Sequence, residues 1–82
     1  MVRVDESFWT FRGKLYCHMT ANSMAELHAF ADQIGLKRAW FHGGRVPHYD
    51  LAPEFRARAL AAGAVFVRAI DQAKARRRGG EE

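Results

Sequence analysis

The chain predicts a single small α/β domain with about four short strands in a mostly parallel sheet, two main helices and a frayed basic tail. Three observations carry that expectation. Apolar segments of residues 1–73 alternate in period, in the order strand, strand, helix, strand, helix, strand. A chain of 82 residues has apolar material for only one core, and its hydrophobic share of 49% is too high for a disordered protein. Finally, "ELHAFADQIGLKRAWF" (26–41) and "EFRARALAAGAVFVRA" (54–69) align without gaps, matching Glu26 with Glu54, Ala31 with Ala59 and Gly35 with Gly63. Each copy reads as helix, glycine stop and strand, so parallel neighbours joined by right-handed crossovers are expected.

The elements follow in order. "VRVD" (2–5) reads as a short strand, and "KLYCHMT" (14–20) as a second. Between them "ESFWTFRG" (6–13) is aromatic but without helical period, a loop whose Phe8, Trp9 and Phe11 cover the core. Its eight residues are short for a parallel crossover, which needs about a dozen. The first two strands are therefore open to antiparallel pairing, an arrangement expected to set Asp5 apart from His18. Ser23 and Glu26 form an S-x-x-E capping box at the start of the first helix. Met24, Leu27, Phe30, Ala31 and Ile34 mark its apolar face, and Gly35 stops it. "KRAWF" (37–41) reads as the third strand. The second helix starts near Pro53, whose missing N–H is not needed in a first turn, and runs to Gly63 with Leu51, Phe55, Ala59 and Ala62 on one face. "AVFVRAI" (64–70) is the fourth strand, and residues 71 to 78 have the pattern of a short basic helix.

Composition narrows the function classes. No apolar run approaches the ~20 residues that span a bilayer, so no membrane role is expected. "MVRVDESFW" lacks the apolar stretch of a signal peptide, and the single Cys17 has no internal disulfide partner, so a reducing, cytoplasmic setting is the expectation. The net charge of +4 owes much to "KARRRGGEE". Without residues 74–82, nine Lys/Arg face seven Asp/Glu, and the folded body is only mildly basic. Nucleic-acid contact is thus confined to the tail.

Candidate chemistry gathers in "FHGGRVPHYDLAP" (41–53). In an open α/β sheet, ligands bind beyond the carboxyl ends of the strands, where loops lead into helices. This segment follows the third strand and feeds the second helix. Gly43 and Gly44 permit close backbone approach, Arg45 offers a fork for phosphate or carboxylate, and the helix start adds free N–H groups. His18, at the end of the second strand, belongs on the same edge, and His28 lies at the border of the first helix's buried face. His48 suits general acid/base work with Asp50 fixing its tautomer; otherwise Asp50 caps the second helix and Tyr49 packs. Histidines with a carboxylate also suit zinc or another divalent ion. No spacing here is a helical H-x-x-x-H or a Cys/His knuckle, so a metal site has to assemble across elements. Cys17 reads as a small buried strand residue and not a nucleophile.

The order Asp5, Trp9, Gly13, Cys17-His18-Met19, Glu26-Leu27-His28, Ala31, Gly35, Trp40-Phe41, His48-Tyr49-Asp50, Gly63-Ala64 resembles a family of small bacterial and phage proteins catalogued as a domain of unknown function. The resemblance covers residues 2 to about 70 and is carried by "CHM", "ELHAFA" and "PHYDL". It implies no activity, cofactor or fold. Its pattern includes Asp5, His18, His28, His48, Tyr49 and Asp50; it does not obviously include His42, and the basic tail looks particular to this chain.

The functional expectation is a polar site at the carboxyl edge of the sheet, binding a phosphorylated small molecule or nucleotide. His48, His18 and Asp50 are its catalytic candidates for hydrolysis or transfer at a phosphoester. His28, Tyr49, Asp5, Arg38 and Arg45 are its ligand-binding candidates, and no cofactor is assigned. Two alternatives stand beside it: a non-catalytic interaction module, docking a partner or forming a homodimer through "ESFWTF", and nucleic-acid binding through the tail.

Overall fold

The computed structural model describes residues 1–6 and 9–71. Among the described residues, six strands and two full α-helices follow one another as β1 (Val2–Val4), β2 (Trp9–Phe11), β3 (Lys14–Ala21), α1 (Met24–Ile34), β4 (Phe41–His42), β5 (His48–Leu51), α2 (Pro53–Ala61) and β6 (Val65–Phe66), with a 3-10 turn at Arg38–Trp40 and residues 69–71 also helical. The sheet order is β4-β5-β3-β1-β6, with β2 paired to β3.

The sheet is mixed, not mostly parallel. Among the described residues only β1 and β6 pair in parallel; β1–β3, β2–β3, β3–β5 and β4–β5 are antiparallel. The strand–helix–strand units do join strands that run the same way. Yet β5 lies between β3 and β4, and both β3 and β1 lie between β5 and β6. Each crossover therefore spans an intervening antiparallel strand.

Other boundaries shift for local reasons. "ESFWTFRG" contributes β2, which closes on β3 through Arg12 and Gly13, both at positive φ. Within the expected aromatic cover, Trp9 is half-buried, Phe11 is 56% exposed, and Phe8 lies outside the described residues. Segment 37–41 is mostly a 3-10 turn, because Leu36 carries the burial while Arg38, Ala39 and Trp40 face outward without alternation. "HYDL" is a strand and not a loop, with alternating half-buried and buried positions. The fourth strand shrinks to Val65–Phe66, and the expected helix over 71–78 and the tail lie almost wholly outside the described residues.

The helix starts and stops hold, with local departures. The Ser23 side chain accepts from the Glu26 N–H at 3.1 Å; the Glu26 carboxylate accepts from the Asn22 N–H instead of closing the box on Ser23. Leu27, Ala31 and Ile34 are buried, while Met24 at the first turn is not. Pro53 opens α2 after Ala52, which makes no side-chain cap, so Asp50 does not cap this helix. The two aligned segments close their helices with the same backbone bond. The Leu36 N–H donates to the Ala31 carbonyl and the Ala64 N–H to the Ala59 carbonyl, each at 2.9 Å, past Gly35 and Gly63 at φ of 89° and 110°. This closure requires a left-handed residue, which glycine adopts without steric penalty.

Both helices pack on one face of the sheet, where Val4, Cys17, Met19, Tyr49 and Leu51 form the core with Leu27, Ala31 and Ala59. Leu27 is 1% exposed. Leu27→Ala should lower unfolding free energy by about 2–5 kcal/mol in a denaturant titration, against less than about 0.5 kcal/mol for Leu15→Ala on the exposed hairpin. Cys17 lies in the same core, and burial pushes its thiol up to about 12, with the Asp5 charge adding to the effect. Alkylation of Cys17 should accordingly be far slower in native protein than in denatured protein, read by mass spectrometry of timed quenches.

A histidine–carboxylate site on the open face of the sheet

Side chains alternate across a strand, so β3 and β5 sort their residues between two faces. Cys17 pairs with Leu51 and Met19 with Tyr49 on the core face, and between them His18 pairs with Asp50 on the other. His48, two residues before Asp50, shares that face, and the β4–β5 register sets His42 opposite His48. Three imidazoles thereby converge from three strands around one carboxylate.

The geometry is close. His48 Nε2 lies 3.2 Å from Asp50 Oδ1, and His42 Nε2 lies 3.1 Å from Asp50 Oδ2. The His42 and His48 rings stack at 5.1 Å, and His18 meets His48 edge-on at 5.3 Å between centroids. The Nδ1 of His48 donates to the Val46 carbonyl at 2.8 Å, so a backbone acceptor fixes this ring, and Asp50 meets its other nitrogen.

Asp5 belongs to the group although β1 and β3 are antiparallel. The register that pairs Val4 with Met19 brings residue 5 opposite residue 18, so antiparallel pairing joins the two where separation was expected. The His18 N–H donates to Asp5 Oδ1 at 2.9 Å, and His18 Nδ1 lies 3.1 Å from Asp5 Oδ2. Asp5 is only 3% exposed, and Trp9 covers the other side of the His18 ring at 4.5 Å.

The remaining candidates are elsewhere. His28 Nδ1 meets the Tyr49 hydroxyl at 2.8 Å and packs on Phe41, on the core face. Tyr49 is fully buried; burial raises its hydroxyl above the ordinary value, with the nearby Arg38 guanidinium acting in the opposite direction. Arg38 also pairs with Asp32 at 3.6 Å on the surface, and Arg45 is exposed in the β4–β5 turn. His28, Tyr49 and Arg38 are thus separated from His18, His48 and Asp50 by the thickness of the sheet. The expected carboxyl-edge location also fails, because antiparallel neighbours leave no common carboxyl edge and the polar cluster occupies a sheet face.

His42 is the member that sequence reasoning set aside. The usable signal is a hairpin: "HGGRVPH" places two histidines across a five-residue connection containing two glycines, which brings its flanking residues opposite one another. A groove of about 570 Å³ opens beside the cluster, with His42 and Asp50 in its lining together with Trp9, Tyr16, Trp40, Phe55 and Lys14.

Fold and site together define a small α/β domain whose helices cover one sheet face while the other carries a histidine–carboxylate cluster. The chain belongs to the family described as protein of unknown function DUF4031, whose model matches residues 2–79 and so extends into the basic run. No curated protein and no solved structure matches it.

Because Tyr49 and the cluster are on opposite faces, Tyr49→Phe should cost about 1 kcal/mol of stability through its lost hydrogen bond to His28. It should leave the affinity of any ligand at the open face unchanged. Paired denaturation and binding titrations check this, and a matching loss of affinity would count against the separation of the faces.

Proposed function

We propose that this protein binds a phosphorylated small molecule or nucleotide in the groove beside the histidine cluster, and that the cluster carries out hydrolysis or transfer at the phosphoester. The observation supporting this reading is what the groove combines. Trp9, Tyr16, Trp40 and Phe55 supply aromatic faces on which a base can stack, and Lys14 and His42 supply positive or hydrogen-bonding groups for phosphate beside the carboxylates of Asp50 and Glu54. Its volume of about 570 Å³ falls in the range of small-molecule sites, roughly 300–1,000 Å³. His48 is the acid/base candidate in the metal-free protein: its Nδ1 is held by the Val46 carbonyl, so Nε2, 3.2 Å from Asp50 Oδ1, is the nitrogen left to exchange a proton. A reducing cytoplasmic setting fits this reading, since the single Cys17 is free and buried. No helix among the described residues is long and apolar enough to cross a membrane.

The test is a tryptophan-fluorescence titration of the full chain with nucleoside monophosphates, and with inorganic phosphate for comparison. Saturable quenching is expected with nucleotides. Trp40→Ala should weaken binding roughly tenfold or more, the loss of one stacking face. His48→Ala should retain binding while losing turnover of an activated phosphodiester. Absence of quenching by every nucleotide would remove the basis for this reading.

A further inference from the structure

We propose that His18, His48 and Asp50 form a mononuclear divalent-cation site, suited to zinc and open on its groove side. The inference stands on side-chain geometry and does not require the groove's ligand to be a phosphate. One donor atom from each of the three residues can be chosen so that all lie within 4.8 Å of one another. Ligand bonds of about 2.1 Å in a tetrahedral site need donors about 3.4 Å apart, so binding has to draw the three donors together by rotation of their side chains.

The outer hydrogen bonds point the same way. A metal-bound histidine typically donates its other ring N–H to a carboxylate or a backbone carbonyl, which fixes its tautomer and direction. His18 Nδ1 meets the Asp5 carboxylate and His48 Nδ1 meets the Val46 carbonyl, one of each kind. Both partners are acceptors, so both Nδ1 atoms carry the proton, and in the neutral rings both Nε2 atoms are left with lone pairs.

That tautomer creates a conflict which a cation resolves. The His48 Nε2 lone pair lies 3.2 Å from Asp50 Oδ1, an acceptor facing an acceptor. Oδ1 is itself buried with no hydrogen-bond donor. An orphaned buried carboxylate oxygen is costly, and a metal ion shared by Oδ1 and the two imidazoles satisfies all three groups at once. Two nitrogens and one oxygen favour zinc, cobalt or manganese over magnesium or calcium, which prefer all-oxygen ligands. Three protein ligands leave a coordination position for water or substrate. His42 then acts as a positioning residue, holding Oδ2 of Asp50 at 3.1 Å.

The experiment titrates the chelator-treated full chain with Co2+, reading the visible absorption of bound cobalt, with Zn2+ as competitor and the unfolding midpoint as a second measure. One equivalent of Co2+ should saturate the band, Zn2+ should displace it one for one, and Zn2+ should raise the midpoint. His18→Ala and Asp50→Asn should each abolish the band, Asp5→Asn should weaken binding by roughly 10–100-fold, and His28→Ala should keep it. Absence of a saturable band together with an unmoved midpoint would overturn the proposal, as would full binding in both His18→Ala and Asp50→Asn. Nucleotide quenching that persists in chelator while Co2+ fails to bind would overturn the metal site and leave the groove reading standing. Cobalt binding without any nucleotide quenching would do the reverse.

Discussion

The register between β3 and β5 is the constraint on which core and site both depend. It pairs His18 with Asp50 between two apolar pairs, Cys17–Leu51 and Met19–Tyr49. A slip of one residue on either strand would send its polar residues toward the helices and its buried ones into water. Desolvation of the apolar pairs against α1 and α2 therefore fixes the position of the polar pair. Hydrophobic burial on one face supplies the alignment that the histidines on the other face need.

Asp5 ties that face to the second helix. Its carboxylate holds His18 through both the ring and the backbone N–H, while Arg56 on α2 donates to its carbonyl at 3.1 Å. The residue is thereby gripped from two directions, and the imidazole it contacts inherits that rigidity. A cluster resting on strand residues and a buried carboxylate has little conformational freedom left to lose, because that freedom has already been lost in folding.

Much of the fold was legible because local signals and tertiary packing agree. Ser23, Gly35, Pro53 and Gly63 mark helix ends through backbone chemistry that needs no distant partner. Strand pairing was less legible. The repeated helix–glycine–strand pattern reports direction of travel correctly but not adjacency, and nothing local states that β5 inserts between β3 and β4. "HYDL" hid its strand character because its outward positions are His48 and Asp50, whose chemistry drew attention from their period of two. That period also separates members of the candidate site: His48 and Asp50 fall on one face and Tyr49 on the other, with His28 following Tyr49. The proximity of Asp5 to His18 depends on a pairing between strands distant in sequence, so no local pattern encodes it.

The main path of the sheet ends on its two shortest strands. Both β4 and β6 are two residues long, so each open border presents only a few backbone donors and acceptors to another chain. Val65 and Phe66 are exposed on β6, yet so brief a template cannot hold a foreign strand in register, and the helix that follows β5 crosses over instead of extending the border. Short edges thus let this small domain leave one sheet face uncovered by α1 and α2 without becoming a seed for strand-by-strand aggregation.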